Sequence, residues 1–150
     1  MSNQIRNSVK AIIEQAGRVL LIRKRGNQGD YFVFPGGGQD KFETMADALR
    51  RECQEEIGVD VIVRDLRFVR EYVSRNHEFA DSDPTTHQVE FYFSCDLPEG
   101  SRPVNGPSMD RDQLSVEWIA IEEIASLPVY PRSLRGERFS PSKIYCGDIN

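Results

Sequence analysis

Apolar and polar residues alternate along most of this chain, a period of two that predicts β-strands with one buried face. Glycine and polar residues interrupt the alternation and indicate turns, as at 15–17 and 26–30. Six segments carry the strand signal: 8–14, 18–25, 31–34, 59–73, 87–95 and 116–121.

Between Thr44 and Gly58 the period changes to that of a helix. Thr44 is a plausible N-cap with Asp47 as a short-armed capping box, and Gly58 is a plausible left-handed residue after the helix. The apolar residues then recur every four positions and form one stripe, made by Met45, Leu49, Cys53 and Ile57.

Three acids of this helix can be placed against that stripe. At about 100° per residue, Glu56 lies about 20° from Leu49 and Glu52 about 60°, whereas Glu55 lies about 120° away. Glu56 therefore falls inside the apolar sector, and Glu52 at its edge. Since buried carboxylates are normally paired or hold a metal, and clustered oxygen ligands suit Mg²⁺ or Mn²⁺, the helix predicts a divalent-cation site.

Strands on both sides of one central helix, with a short helix at 122–127, predict a mixed α/β fold in which helices sandwich a sheet. A helical turn is expected near 131–138, and the last residues receive no assignment. The loops at 74–86 and 96–113 are long for a compact domain, and we interpret both as substrate-side loops. Simple disorder is the alternative for the second loop.

Length and composition predict a single domain over 1–150, with 131–150 as a C-terminal tail of uncertain structure. A net charge of −5 argues against stable nucleic-acid binding. No apolar run is long enough for a membrane span, and the N-terminus lacks a signal-peptide core. Three widely spaced cysteines fit a reducing compartment. Together these features predict a cytoplasmic protein.

The helix and the glycines before it form one spaced pattern. Gly37 is followed after five residues by Glu43, and after seven more by a segment that runs to Gly58 and Val59. That segment contains Arg51 and the three acids, Glu52, Glu55 and Glu56. The pattern resembles the Nudix box at every fixed position; the one soft departure is Cys53, where the family has an aliphatic residue. FPGGG before the box and the Trp118 strand after it extend the similarity.

The resemblance implies a Nudix-type α/β/α sandwich with a mixed central sheet. It also implies an enzyme that uses water to cleave a diphosphate linked to another moiety. Glu52 and Glu56 would be metal ligands, and Arg51 would pair with acids of the box, which include Glu43. Glu55 could bind a second ion or act as the base, and these two roles stay open.

Some candidate residues precede the catalytic helix. Gly37 and Gly38 let the backbone approach an ion or phosphate closely, and a carbonyl at Gly37 can serve as a metal ligand. Arg23 and Arg25 share one face of a strand end and could contact a substrate phosphate. A solvated basic strand end is the alternative for both arginines.

Further candidates follow the helix. Asp112 lies where MutT-type members of the family place an extra acidic ligand or base, and Asp110 and Glu90 are its rivals. His77 and His87 are candidate bases, with ordinary surface roles as the alternative. Four aromatic residues could stack on a nucleobase, with core packing as the alternative: Phe32, Phe34, Tyr72 and Phe91.

The substrate prediction is a small nucleotide. Sequence markers of NADH-cleaving, ADP-ribose and dinucleoside polyphosphate members are missing, which favours a nucleoside triphosphate or nucleotide derivative. ADP-ribose or nucleotide-sugar cleavage is kept as an alternative, as is a sensor that binds without turnover. An isoprenoid diphosphate isomerase would need a catalytic Cys and Glu, and Cys95 with Glu90 does not make a convincing pair. A homodimer is left open.

Overall fold

The computed structural model describes residues 4–150. Within this range the chain forms eight strands and one α-helix, joined by short 3-10 helices. The α-helix, α1, spans Met45–Ile57. The strands are β1 (Arg6–Gln15), β2 (Arg18–Lys24), β3 (Tyr31–Val33), β4 (Gly36–Gly38), β5 (Ile62–Val73), β6 (His87–Asp96), β7 (Gln113–Ala120) and β8 (Tyr145–Asp148).

The strands build a mixed sheet in the order β3-β2-β1-β6-β5-β8, with β4 paired to β1 and β7 paired to β2. β1 runs parallel to β6, and β5 parallel to β8, whereas the other pairs are antiparallel. β1 thus contacts three neighbours and is the strand on which the sheet is built. The mixed α/β class with a mixed sheet is confirmed.

Both ends of α1 are formed as its sequence predicts. The Asp47 amide donates to Thr44 Oγ1 at 3.1 Å, and Gly58 has φ of 67°. The reciprocal half of the capping box is not formed, because the Asp47 carboxylate pairs with Arg50 at 2.8 Å instead. Aspartate is one methylene shorter than the glutamate that usually reaches back to the cap residue.

The two faces of the sheet carry separate hydrophobic clusters. Along β1 the side chains alternate: Val9, Ala11 and Ile13 pack under α1, whereas Ile12 packs on the opposite face. The apolar stripe of α1 closes the first cluster, in which Leu49, Cys53 and Ile57 are fully buried. The opposite face is covered by 3-10 helices rather than by a second α-helix, at Ile121–Ser126 and Arg132–Leu134.

Two strands lie where the sequence pattern shows none. β4 consists of three glycines, which are depleted in strands, so no alternation marks it. β8 lies in the C-terminal tail and pairs with β5, while Arg70 of β5 donates to the Ile149 carbonyl at 2.7 Å. No helix within residues 4–150 is long and apolar enough to span a membrane.

Candidate active site

Helix α1 packs against the glycine strand β4, and this contact sets the geometry of the site. β4 is antiparallel to β1, with Gly36 opposite Lys10 and Gly37 opposite Val9. Gly36 has φ of 143°, and a Cβ atom there would lie 1.9 Å from the Val9 carbonyl oxygen. Only glycine therefore lets the chain pass this close to β1.

Glu56 is 8% exposed and points toward β4, in agreement with its helical phase. Its Oε1 accepts a hydrogen bond of 2.7 Å from the Gly36 amide. Burial raises the pKa of Glu56 to about 7, and the negative charges of Glu52 and Asp110 add to this effect. The Lys10 charge and the Gly36 amide act in the opposite direction.

Glu52 lies one helical turn earlier, with its carboxylate against the backbone of Gly37. A Cβ atom at Gly37 would lie 2.5 Å from the Glu52 carboxyl carbon. Burial raises the pKa of Glu52, although the neighbouring Arg51 guanidinium favours its ionised form. Glycine at position 37 thus makes room for a partly buried carboxylate beside the main chain.

Arg51 is the centre of an ion-pair network at the solvent edge of the site. Its guanidinium contacts both oxygens of Glu43, at 3.0 and 2.7 Å, and the Gly38 carbonyl at 3.0 Å. Nη1 also donates to Glu52 at 3.0 Å and to Glu55 at 3.4 Å. The hydrogen bonds and charge of Arg51, together with the Asp40 amide, lower the pKa of Glu43 to about 2. The geometry is that of an organising ion-pair partner.

The loop at 96–113 contacts the C-terminal end of α1. Three backbone amides of this loop donate to the last helix carbonyls: Val104 to Ile57 at 3.1 Å, Gly106 to Glu56 at 2.9 Å, and Ser108 to Glu55 at 3.0 Å. The predicted role of this loop was to lie on the substrate side. The sequence does not predict that part of it orders the helix end that carries Glu55 and Glu56.

Lys10 is a site residue that the sequence pattern did not single out. It lies on β1 opposite Gly36, is partly buried, and its positive charge lowers the pKa of both Glu52 and Glu56. The sequence signal for Lys10 is a lysine inside an otherwise apolar strand segment, between Val9 and Ala11. Lys10 brings a cation beside the carboxylates from the sheet side.

Arg23 and Arg25 occupy different surroundings. Arg23 pairs with Asp30 at 3.7 Å and with Glu117 at 3.6 Å, and its guanidinium lies 5.3 Å from the Phe32 ring centre. Arg25 instead lines a cavity of about 720 Å³ together with Asp112. The structure therefore separates the two arginines, although they share one strand end.

The three rival acids also differ in their surroundings. Asp112 is exposed in the cavity beside Arg25, whereas Asp110 is near enough to Glu56 for its charge to raise the pKa of that residue. Glu90 is 5% exposed and its Oε1 accepts from Arg70 at 2.8 Å and from Tyr92 at 2.7 Å. Glu90 thus has the contacts of a buried structural ion pair.

The histidines pair with acids outside the box, and most of the aromatic candidates pack in or against the hydrophobic clusters. His77 contacts Asp148 at 2.6 Å, and His87 contacts Glu71 at 3.1 Å. Tyr72 stacks on His77 with ring centres 5.6 Å apart and also lines the cavity that holds Arg25. The other three aromatic candidates pack in or against the two hydrophobic clusters: Phe32, Phe34 and Phe91.

A further cavity, of about 870 Å³, opens beside the loop between β4 and α1. Asp40, Lys41 and Glu43 line it from this loop, and Arg6 lines it from β1. The Arg6 guanidinium lies against Gly38, where a Cβ atom would be 1.9 Å from it. Gly38 thus contacts the guanidinium of Arg6, a residue that lines this cavity.

The box residues provide oxygen donors for a metal, although they are not gathered around one point. Within residues 4–150, no three His, Cys, Asp or Glu side chains form a ready metal cluster. Arg51 contacts Glu52 and Glu55, and the Gly36 amide contacts Glu56. An oxygen-only donor set at helical spacing, beside a backbone without side chains, fits a hard divalent cation.

Comparison with known proteins identifies the family. The NUDIX domain matches residues 4–137, and the chain therefore belongs to the NUDIX family. A CTP pyrophosphohydrolase of Escherichia coli is 27% identical over 128 residues, which are 84% of either chain. An ADP-ribose pyrophosphatase of Methanocaldococcus jannaschii is 32% identical over 94 residues. The family resemblance drawn from the box is thus confirmed.

The structural comparison agrees with this assignment. A MutT NUDIX hydrolase from Burkholderia pseudomallei superposes with a TM-score of 0.71 at 23% identity, over 91% of this chain and 98% of that one. Among sequence relatives, the aligned region is 62% of this chain but 52% of the M. jannaschii protein. It is 48% of a Xenopus laevis nucleoside diphosphate-linked moiety X motif 6 protein. The chain thus spans about half the length of these two relatives.

Proposed function

We propose that this chain hydrolyses a diphosphate bond in a nucleoside diphosphate-linked substrate, with Mg²⁺ or Mn²⁺ as cofactor. One observation carries the proposal: Glu52 and Glu56, one helical turn apart, are both held against the glycine strand β4. Burying two carboxylates so close together is unfavourable, and Arg51 and Lys10 offset this only in part, since the pKa of both acids stays raised. A divalent ion between protein carboxylates and substrate phosphates would relieve that cost.

Glu52 and Glu56 would hold the metal, with the Gly37 carbonyl as a further oxygen ligand. The ion would stabilise negative charge on the phosphoryl oxygens and supply an activated water. The Gly36 amide fixes one oxygen of Glu56 and leaves the other for this role. Arg51 keeps Glu43 ionised and holds the Glu52 carboxylate in place, so we assign it a positioning role.

Glu55 keeps the two roles that the sequence left open, either a ligand of a second ion or the general base. Arg51 Nη1 contacts both Glu52 and Glu55. The Glu55 carboxylate is the more exposed of the two, and it lies farther from Nη1, at 3.4 Å compared with 3.0 Å for Glu52. Asp110 stays a candidate for an outer acidic ligand; its negative charge acts on Glu56, and its carboxylate pairs with Lys24 at 3.4 Å. Asp112 and Arg25 are proposed to contact the substrate from their shared cavity.

The substrate is proposed to be a nucleoside triphosphate or a related nucleotide. One relative that is aligned over most of both chains is named a CTP pyrophosphohydrolase, which favours this class. The shorter alignment with an ADP-ribose pyrophosphatase keeps ADP-ribose as the second candidate. Three unpaired cysteines support the predicted reducing, cytoplasmic location.

The decisive experiment is a substrate panel of nucleoside triphosphates, ADP-ribose and nucleotide sugars, with Mg²⁺, Mn²⁺ or EDTA. We expect metal-dependent release of diphosphate or of a nucleoside monophosphate. Reaction in ¹⁸O-labelled water then identifies the attacked phosphorus from the product that carries the label. Tight nucleotide binding without turnover of any panel member would favour the sensor alternative, which the intact acids of the box argue against.

A further inference from the structure

The C-terminal end of α1 is bonded to protein rather than to water. The last carbonyls of a helix lack partners within the helix and are usually capped or solvated. Here the carbonyls of Glu55, Glu56 and Ile57 accept hydrogen bonds from the backbone amides of Ser108, Gly106 and Val104, respectively. The helix end that carries two acids of the box is therefore fixed by a separate segment of the chain.

Gln113 adds a side-chain bond to the same helix end. Its Nε2 donates to the Glu56 carbonyl at 2.8 Å and to Asn105 Oδ1 at 3.0 Å, and the residue is 4% exposed. Both partners are acceptors, so the orientation of the amide is fixed by its contacts. The Oε1 atom is buried and has no hydrogen-bond partner within residues 4–150.

An unpaired buried oxygen is unfavourable, and an apolar side chain of the same length would avoid it. The Gln113 amide therefore stabilises this position through its Nε2 bonds. One of these bonds goes to the peptide carbonyl of Glu56, the acid that the proposed function relies on most.

Gly106 leaves no room for a side chain against α1. A Cβ atom there would lie 2.3 Å from the Glu55 carbonyl oxygen and 2.8 Å from the Glu56 carbonyl carbon. Because these neighbours are main-chain atoms, any larger residue must push the loop away from the helix. The close approach is what allows the Gly106 amide to reach the Glu56 carbonyl.

The segment that holds the helix is itself attached to the sheet. Gln113 begins β7 and pairs with Lys24 of β2, after a register shift at Arg23 and Lys24. The backbone N–H of Gln113 donates to the Asp110 carbonyl at 3.0 Å, and Lys24 pairs with the Asp110 carboxylate at 3.4 Å. The contacts on Glu56 thus come from a segment with little freedom to move.

We propose that Gln113 and Gly106 are positioning residues that set where the Glu56 carboxylate lies. Glu56 is held at two points: its carbonyl by these residues, and its carboxylate by the Gly36 amide at 2.7 Å. A shift of the carbonyl moves the carboxylate relative to β4. The inference rests on the proposed function only in giving Glu56 a role in metal binding.

The test compares Gln113→Met, which keeps length and burial, and Gly106→Ala with the wild type. Gly136→Ala is the matched glycine control, since a Cβ atom there meets nothing within 4 Å. The first measurement is the Gly36 amide in ¹H–¹⁵N spectra of the metal-free protein, because it reports the carboxylate directly. The second is Mn²⁺ affinity by electron paramagnetic resonance. The third is steady-state kinetics, which gives kcat and KM separately.

In both test variants we expect a shifted Gly36 amide resonance. The exchange of this amide hydrogen with solvent should be at least about 10-fold faster than in the wild type. Mn²⁺ affinity should fall by about 10- to 100-fold, the range typical of outer-shell partners. The kcat should fall while KM stays within about 2-fold, and Gly136→Ala should match the wild type throughout.

A variant that is less stable but keeps the wild-type Gly36 resonance and Mn²⁺ affinity would overturn the proposal, since Gln113 would then only fill space. If Gln113→Met does not fold, the Gly36 resonance of Gly106→Ala decides in the same way. If the wild type hydrolyses nothing, the proposed function fails, but the Gly36 and Mn²⁺ measurements still decide whether these residues position Glu56.

Discussion

The Gly36 amide and the Glu56 carboxylate are joined by a hydrogen bond of 2.7 Å across the contact between β4 and α1. A buried acid is held here by a main-chain donor that no side-chain substitution can remove. The acid still has a pKa raised to about 7, because burial outweighs this bond. The pair therefore combines a fixed position with an unfavourable charge.

Replacing Glu56 by glutamine separates activity from stability. We expect hydrolysis to fall at least about 100-fold, the scale for losing an electrostatic catalytic group. Native Glu56 keeps its proton up to about pH 7, whereas the unfolded acid loses it near 4.5. Its contribution to stability is therefore complete below the unfolded pKa and is lost as the pH rises to 7. That loss is on the order of 2–3 kcal/mol.

Glu56→Gln should remove this pH dependence and make the metal-free protein more stable than the wild type at pH 8. Urea unfolding at pH 5 and pH 8, without metal, measures the effect. Glu122→Gln, at an exposed acid, is the control. An unchanged pH dependence in the Glu56 variant would contradict the assigned pKa, and undiminished hydrolysis would contradict the assigned role.

Arg51→Lys should weaken the network around Glu43. Lysine cannot make two parallel hydrogen bonds to one carboxylate, so we expect a loss of stability. The lowered pKa of Glu43 stabilises the fold above the unfolded value, and this is lost as the pH falls toward 2. In the variant that pKa rises, and acid unfolding should begin at higher pH.

Circular dichroism during acid titration measures this shift. Arg50→Lys is the control, since Arg50 is the adjacent arginine and pairs only with the exposed Asp47 among the described residues. Equal acid-unfolding midpoints for the two variants would show that the contacts of Arg51 with Glu43 do not stabilise the fold.

Gly37→Ala should displace the Glu52 carboxylate, because the new Cβ atom would lie 2.5 Å from it. The obstacle is the end of a flexible side chain, so the fold should keep its stability within about 1 kcal/mol. Metal affinity should fall about 10-fold or more. Titration calorimetry with Mn²⁺ measures this, with Gly136→Ala as control, and unchanged affinity would remove Glu52 from the proposed ligands.

Glu90→Gln tests whether this rival acid is structural. Arg70 would lose its buried partner, which should lower the free energy of unfolding by about 3–5 kcal/mol. Asp96→Asn, at the exposed pair with Arg64, is the control and should lower it by at most about 1 kcal/mol. Urea unfolding measures both losses, and the folded fraction of Glu90→Gln should keep its kcat. A stable but inactive variant would instead make Glu90 part of the catalytic machinery.

The helix, its caps and the burial of one of its acids could be predicted because they depend on local periodicity. The caps at Thr44 and Gly58 and the burial of Glu56 all follow from a repeat of 3.6 residues. Asp47 shows the limit of such reasoning, since a nearby arginine competes for its carboxylate.

The surroundings of the site could not be predicted, because they depend on contacts between distant segments. Nothing near Gln113 in the sequence indicates that its amide reaches Glu56, and β4 lacks the side chains that would mark a strand. Lys10 is recognisable only once Gly36 is known to lie opposite it. Arg23 and Arg25 look equivalent on one strand but have different neighbours in the fold.

The place of β1 in the sheet has a consequence for folding. β1 pairs with β4 and, in parallel, with β6, so that Val9 lies opposite both Gly37 and Phe91. Closing the second pairing encloses α1 and β5 in one long loop, and such non-local closure slows folding. The glycine strand β4, which lies against Glu52 and Glu56, depends for its position on β1 and so on this non-local pairing. We therefore expect nascent chains to lack a fully ordered β4 until β6 has been synthesised.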